Sequence, residues 1–150
     1  MTTRKQIVDE ALTWVGTPYH HQGRLKCVGV DCAMILCEVY ETVGLIPHVD
    51  PTPYPIDFMM HNSDEKYLSW LMKYGSSVTS LTSHDQSHDG PQPGDIALYR
   101  FGRCISHAAI VIGWPMVVHA VRGEGVVIGN GESGSLSGRI AGFWRVRGIE

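Results

Sequence analysis

One cysteine occupies a position that favours thiol chemistry. Cys32 lies in the segment VDCA at residues 30–33, where a glycine-containing loop gives way to a helical pattern. Asp31 is a residue type that caps helix N-termini, which would place Cys32 in the first helical turn. There the unpaired backbone N–H groups and the helix dipole stabilise a thiolate and could also serve an oxyanion. Cys32 is therefore a candidate nucleophile; the alternative is a small buried residue at a helix start.

Activating a thiol near neutral pH requires a base with a nearby pKa, and histidine meets that requirement. The chain has 8 histidines, of which two interrupt apolar strand-like segments, His107 in SHAAIV and His119 in VVHAV. Either one alone would be an ordinary structural histidine. Two of them on consecutive strands, together with a helix-start cysteine, favour a Cys–His–His arrangement. His20 and His21 lie in a loop upstream of Cys32 and could line a cleft.

The spacing of the two histidines sets a condition on the hairpin that carries them. If residues 113–115 form a three-residue loop, Ala109 lies opposite His119, and His107 lies on the same face as His119. Diagonal neighbours of this kind are about 7–8 Å apart at Cα, which lets two imidazoles meet. A two-residue loop without a bulge would put them on opposite faces. The histidine pair therefore requires an odd loop length or a bulge.

The elements that must position these residues follow from hydrophobic periodicity and from glycine and proline breaks. Helical patterns cover residues 4–15, 32–43 and 64–74, a polar surface loop covers 76–93, and strand patterns cover 95–101, 105–113, 116–122, 125–128 and 142–147. Thr3 and Gln6 have the spacing of a capping box before the first helix, and Asp95 is expected to fix the turn that starts the first strand. Helices first and closely spaced strands second indicate an α+β fold with an antiparallel sheet. No repeat or linker interrupts the chain, so residues 1–150 are predicted to form a single domain.

Composition excludes several classes of function. The 150 residues carry a net charge of −3 with 12 scattered Lys and Arg, so no basic stripe is available for nucleic acid. No apolar run reaches the roughly 20 residues that span a bilayer, and the polar N-terminus does not resemble a signal peptide. The 4 cysteines are expected to be reduced. Because CxxC and HExxH are absent, neither a metal nor another cofactor is expected.

Five short motifs, taken in order, resemble the NlpC/P60 cysteine peptidases, and most closely the small phage-encoded cell-wall peptidases of that group. They are GTPYHHQG at 16–23, VDCA at 30–33, QPGDI at 92–96, SHAAI at 106–110 and VHA at 118–120. The resemblance implies a papain-like fold, in which N-terminal helices pack on a C-terminal antiparallel sheet. It also implies hydrolysis of amide bonds in peptidoglycan stem peptides, usually after γ-D-glutamyl.

The same resemblance assigns roles to individual residues. Cys32 would be the nucleophile, His107 the general base and His119 the polar residue that orients His107. Tyr19 matches the family's tyrosine near the nucleophile and could donate to the oxyanion, or it could simply be a core tyrosine. Asp31 could bind the substrate's free amine, although its capping role is sufficient to explain it.

The chain departs from the family pattern after the nucleophile, where Ala33-Met34 replaces the frequent Ser-Gly. Two alternatives to a hydrolase stay open: a related thiol amidase or acyltransferase acting on another amide, and a non-catalytic phage tail or wall-binding module. We expect synthesis in the cytoplasm and action on the cell wall after delivery by a phage tail, a secretion apparatus or lysis. Components of such a tail or apparatus are the expected protein partners.

Overall fold

The structure, a computed structural model, describes residues 1–51, 71–78 and 90–150. The first part contains helix α1 (Arg4–Thr13), the short strands β1 (Arg24–Leu25) and β2 (Gly29–Val30), and helix α2 (Met34–Thr42). The remaining elements are β3 (Gly75–Val78), β4 (Ile96–Phe101), β5 (Cys104–Gly113), β6 (Met116–Val121), β7 (Gly125–Asn130), a 3₁₀ turn (Gly134–Leu136) and β8 (Ile140–Val146).

Strands β3 to β8 form one antiparallel sheet in the order β3-β8-β4-β5-β6-β7. Alternate residues of β4 face opposite sides of this sheet. Ile96 and Leu98 join the helices in the larger core, whereas Ala97 and Tyr99 belong to a second apolar cluster. Two helices followed by an antiparallel sheet confirm the predicted α+β class.

Helix α1 begins as predicted and ends early. Thr3 and Gln6 form the expected reciprocal capping box. The helix stops at Thr13; Leu12 in its last turn and Val15 beyond it are exposed, whereas Trp14 is buried. The predicted apolar face over residues 4–15 is therefore wrong at its C-terminal end, because the chain leaves the helix before the pattern is completed.

Two expectations concern the middle of the chain. The predicted helix over residues 64–74 lies mostly outside the described residues; of the described part, residues 71–72 are helical. The predicted loop over residues 76–93 is wrong at its start, because Gly75–Val78 pairs with β8. The sequence GSSV lacks apolar alternation, so pairing with an existing strand, rather than its own composition, makes it a strand. Residues 79–89 lie outside the described part.

The hairpin between β5 and β6 places His107 and His119 on one face through a bulge rather than through a three-residue loop. Ile110 pairs with Val118, but Gly113 rather than Ile112 pairs with Met116, so β5 contains a bulge and the loop has two residues. The three-residue loop was a wrong prediction. The bulge supplies the extra residue, and the side chains beyond it keep the predicted faces.

An ion cluster around a buried aspartate joins the helical part to the sheet. Asp95 is fully buried, and its carboxylate accepts from the Arg145 guanidinium at 2.8 and 2.7 Å. Arg4 of α1 donates to the same carboxylate at 3.2 Å, and the Gln92 backbone N–H donates to it at 2.9 Å. Asp95 thus fixes the turn before β4, as its position predicts, and also joins α1 and β8 to that turn.

Candidate active site

Asp31 caps the helix that carries the candidate nucleophile. Its backbone carbonyl accepts from Ile35 N–H at 3.1 Å, the spacing of a first helical bond. Its Oδ1 accepts from the backbone N–H groups of Ala33 at 3.1 Å and Met34 at 2.9 Å. Although the regular helix is assigned from Met34, these bonds place Cys32 in the N-terminal turn, as the sequence predicts.

The second carboxylate oxygen of Asp31 turns away from the helix. It accepts from the Gln22 backbone N–H at 2.7 Å and lies 3.7 Å from Nδ1 of His21. Asp31 is only 1% exposed. The burial favours its structural role over direct contact with a substrate amine, and His21 lies beside it.

The Cys32 thiol lies against strand β5. Its Sγ is 3.8 Å from the carbonyl oxygen of Ser106, the residue immediately before His107, and the cysteine is partly exposed. The chain reversal that brings α2 to this point is held by Tyr19, which bridges to Val30 just before the cysteine. A partly exposed thiol at a helix N-terminus, next to a histidine-bearing strand, is accessible for reaction.

The Tyr19 hydroxyl lies within electrostatic reach of the Cys32 thiol. Burial, the Cys32 thiolate and the Asp31 carboxylate raise the pKa of the Tyr19 hydroxyl to about 12. The phenol therefore keeps its proton at neutral pH and can donate a hydrogen bond. Its loop is anchored by β7, since Val126 and the Gly16–Thr17 segment exchange backbone hydrogen bonds of 2.9 and 2.8 Å.

His107 and His119 lie on the same face of the sheet and contact each other. Nε2 of His107 is 2.9 Å from Nδ1 of His119, and the ring planes are nearly perpendicular at 71°. His119 is 5% exposed and packs over Gly129, where an added Cβ would lie 3.0 Å from Nε2 of His119. The absence of a side chain at Gly129 thus makes room for the second imidazole, which the sequence alone did not indicate.

Burial keeps both imidazoles neutral. Desolvation, followed by the neighbouring His119, lowers the pKa of His107 to about 3, and desolvation lowers the pKa of His119 to about 4. Between two neutral imidazoles one nitrogen donates and the other accepts. If Nε2–H of His107 donates to His119, then Nδ1 of His107 is the basic nitrogen that can accept a proton.

Aromatic rings hold His107 from the β4 side. The ring centroids of Tyr99 and Phe101 lie 5.9 and 5.8 Å from that of His107. Tyr99 pairs with His107 in the sheet and donates its hydroxyl proton to the Gly131 carbonyl at 2.9 Å. These contacts restrict the orientation of the imidazole, and they account for its desolvation.

Comparison with known proteins covers the segments that carry these residues. The model of the NlpC/P60 family matches residues 16–145. This chain belongs to the NlpC/P60 family. Its residue matches run from the loop that carries Tyr19 to strand β8, so the family assignment covers every element of the site.

Solved structures share the fold of this NlpC/P60 domain. The NlpC/p60 domain of the peptidoglycan hydrolase SagA is 21% identical with a TM-score of 0.60, covering 95% of this chain and 97% of that one. An NlpC/P60 family protein from Bacillus cereus is 20% identical with a TM-score of 0.65, covering 95% and 40%.

RipD from Mycobacterium tuberculosis, described as a non-catalytic NlpC/p60 domain protein adapted to peptidoglycan binding, also shares the fold. It is 16% identical with a TM-score of 0.53, covering 96% of this chain and 95% of that one. A search of curated protein sequences finds no match.

The other three cysteines of this NlpC/P60 domain lie in different surroundings. Cys37 and Cys104 are buried, and burial raises the pKa of the Cys37 thiol to about 12. Cys27 is exposed in a loop with a left-handed φ of 67°. All four cysteines lie in the described residues, and no disulfide links them.

Within the described ranges, no group of three or more His, Cys, Asp or Glu side chains could hold a metal ion. No helix in the same part of the chain has both the length and the apolar character needed to cross a membrane.

Arg122 is a residue near the site that sequence reasoning missed. It follows the last residue of β6, and its guanidinium carbon lies 6.0 Å from the centroid of the Tyr19 ring. Its only sequence signal is a position three residues after His119, which is visible once that strand is assigned to the site.

Proposed function

We propose that this domain is a cysteine peptidase that cleaves amide bonds in bacterial peptidoglycan stem peptides, at the bond that follows γ-D-glutamyl. Cys32 is the nucleophile, His107 the general base and His119 the residue that orients His107. The observation that carries the proposal is the 2.9 Å contact of His119 on β6 with His107 on β5, which directly follows Ser106, the residue whose carbonyl lies against the Cys32 thiol.

In this mechanism the proton moves through His107. As Sγ of Cys32 attacks the scissile carbonyl carbon, its proton passes to Nδ1 of His107, and the charge that forms is shared through Nε2–H with His119. The proton then passes to the leaving amine as the C–N bond breaks. Water, deprotonated by His107, attacks the thioester and regenerates the thiol.

Two groups are suited to the oxyanion. The Cys32 backbone N–H lies in the capped N-terminal turn, and Tyr19 carries a protonated hydroxyl beside the thiolate. Hydrogen-bond donors aimed at developing negative charge are a large source of catalysis. Asp31 contributes indirectly, because its capping bonds hold this turn in place.

A non-catalytic wall-binding module is the second candidate, favoured by the fold shared with RipD. It predicts that the Cys32 thiol has no special reactivity. The mutually bonded histidines, His119 buried and His107 partly buried, weigh against it, since a binding surface gains nothing from two desolvated imidazoles on the strands beside a thiol. Under this alternative, iodoacetamide would alkylate Cys32 at the rate of a free cysteine.

Mass analysis of digested peptidoglycan tests the proposal. We expect the wild-type protein to release fragments that end in γ-D-glutamyl, with a new amino terminus on the diamino acid. Cys32→Ala should release none, while Cys27→Ser, a matched change at an exposed cysteine, should release the same fragments as wild type. Equal release by the wild type and Cys32→Ala would refute the role of Cys32, and no release by the wild type would refute hydrolysis.

A further inference from the structure

Arg122 lies beside the candidate active site but has no part in the proton transfers. Its guanidinium lies 6.0 Å from the centroid of the Tyr19 ring, a cation–π distance, and the residue is exposed. A hydrogen bond from Arg122 and its positive charge lower the pKa of the Tyr19 hydroxyl, against the larger effect of burial. Arg122 therefore reaches the hydroxyl end of the tyrosine.

The contacts of Tyr19 relate Arg122 to the nucleophile. Tyr19 bridges to Val30, two residues before Cys32, and its hydroxyl is within electrostatic reach of Cys32, Asp31 and Arg122. Asp31 is buried and accepts from the backbone of Gln22 and of the helix start, so its charge is committed to the interior. Arg122, by contrast, is exposed, so its positive charge is accessible to a substrate that arrives from solvent.

The chemistry of a guanidinium specifies what it would bind. Its planar fork of N–H donors matches a carboxylate, with which it forms paired charge-assisted hydrogen bonds. A glutamyl residue joined through its γ-carbonyl keeps an α-carboxyl group only four bonds from the scissile carbonyl carbon. In some stem peptides this group is a carboxylate, and in others it is an amide.

We propose that Arg122 binds the free α-carboxylate of the γ-linked glutamyl residue and makes the enzyme selective for stems in which this group is not amidated. This inference rests on the proposed peptidase function. Arg122 is a specificity-determining residue here, since it contacts the part of the substrate that does not react. An alternative role, in which Arg122 only positions Tyr19, would affect both kinds of stem equally.

Two synthetic peptides separate these roles. Both have the sequence L-Ala-γ-D-glutamyl-L-Lys, one with a free α-carboxylate and the other with an α-carboxamide. We expect the wild type to prefer the carboxylate about tenfold in kcat/KM, the size of one exposed charge-assisted interaction. Arg122→Gln should remove that preference by raising KM for the carboxylate peptide alone, and Arg122→Lys should keep part of it.

The matched control is Lys5→Gln, which removes one positive charge from the exposed face of α1, where Lys5 pairs with Asp9. It should leave both rates unchanged. Equal loss on the two peptides in Arg122→Gln would overturn the inference in favour of a positioning role. A wild type without preference would overturn it as well.

A binding measurement keeps the inference testable if neither peptide is cleaved, a result that would count against the proposed function. Calorimetry with Cys32→Ala should show tighter binding of the carboxylate peptide than of the amide. The double variant Cys32→Ala/Arg122→Gln should bind both alike. Equal affinity of Cys32→Ala for the two peptides would contradict carboxylate recognition, whatever the outcome for catalysis.

Discussion

Replacing His119 should slow turnover and leave substrate binding nearly unchanged. Its Nδ1 lies 2.9 Å from Nε2 of His107, and it touches neither the thiol nor the substrate in the proposed mechanism. The bond between two neutral imidazoles becomes charge-assisted when His107 accepts the thiol proton. His119 therefore stabilises the state with a proton on His107 more than the resting state.

The size of the effect follows from that bond. A hydrogen bond to a charged group contributes about 1.5–3 kcal/mol, which corresponds to roughly 10–150-fold in rate. Loss of orientation adds to this, because His107 would then sample the wrong tautomer. We expect His119→Ala to lower kcat by roughly 10–10³-fold with little change in KM. His119→Gln and His119→Asn, which can still accept from His107, should retain more activity than His119→Ala.

Steady-state kinetics on a stem peptide would measure this, with thermal unfolding at pH 7 to show that each variant is folded. His107→Ala serves as the reference and should be nearly as inactive as Cys32→Ala. Wild-type turnover by His119→Ala would refute the orienting role and leave Cys32 and His107 as a dyad. Equal activities of the Ala, Asn and Gln variants would also contradict it, because only two of them offer an acceptor.

Three further predictions concern the pH dependence of stability, the ion cluster at Asp95, and the dependence of activity on metal and on the other cysteines. Because folding lowers the pKa values of His107 and His119 to about 3 and 4, the unfolded chain binds more protons than the folded protein below about pH 6.5. The free energy of unfolding should therefore fall by up to about 1.4 kcal/mol per histidine between pH 7.5 and 5.5, and by less in His119→Gln. Urea unfolding measures this, and an equal pH dependence of the wild type and His119→Gln would contradict the cause. Arg145→Met should lower the free energy of unfolding by about 3 kcal/mol, because it removes one partner of the buried Asp95 carboxylate. The surface control Lys5→Met should lower it by less than about 0.5 kcal/mol. Similar urea midpoints for the two variants would show that the cluster is not stabilising. Activity should survive excess EDTA and be lost to iodoacetamide, whereas loss with EDTA and recovery with zinc would contradict a metal-independent mechanism. Cys27→Ser, Cys37→Ser and Cys104→Ser should each keep most of the activity. An essential role for one of these three cysteines would contradict the assignment of Cys32 as the nucleophile.

The sequence was sufficient to predict the elements whose signals are local. Thr3 and Gln6 mark the start of α1, Asp31 marks the start of the α2 turn, and apolar runs mark β4 to β8 within one or two residues. The shared face of His107 and His119 also followed from strand periodicity, since a period of two leaves only two choices of face.

The features that sequence reasoning missed depend on contacts between distant segments. The bulge at Ile112 and the two-residue loop compensate for each other, so the shared face of His107 and His119 was predicted correctly although the loop length was not. Strand β3 is defined by its partner β8, and Gly129 matters only because His119 packs over it. Arg122 joins the site through Tyr19, more than a hundred residues earlier in the chain.

Covalent trapping tests the central claim most directly. The protein is mixed with a γ-D-glutamyl stem peptide, quenched in acid within the first turnovers, and its intact mass and peptide map are recorded. Our account predicts a mass increase equal to the acyl part of the peptide, carried as a thioester on Cys32 and removed by hydroxylamine. An adduct on another residue would contradict the account, as would hydrolysis that proceeds at full rate in Cys32→Ala.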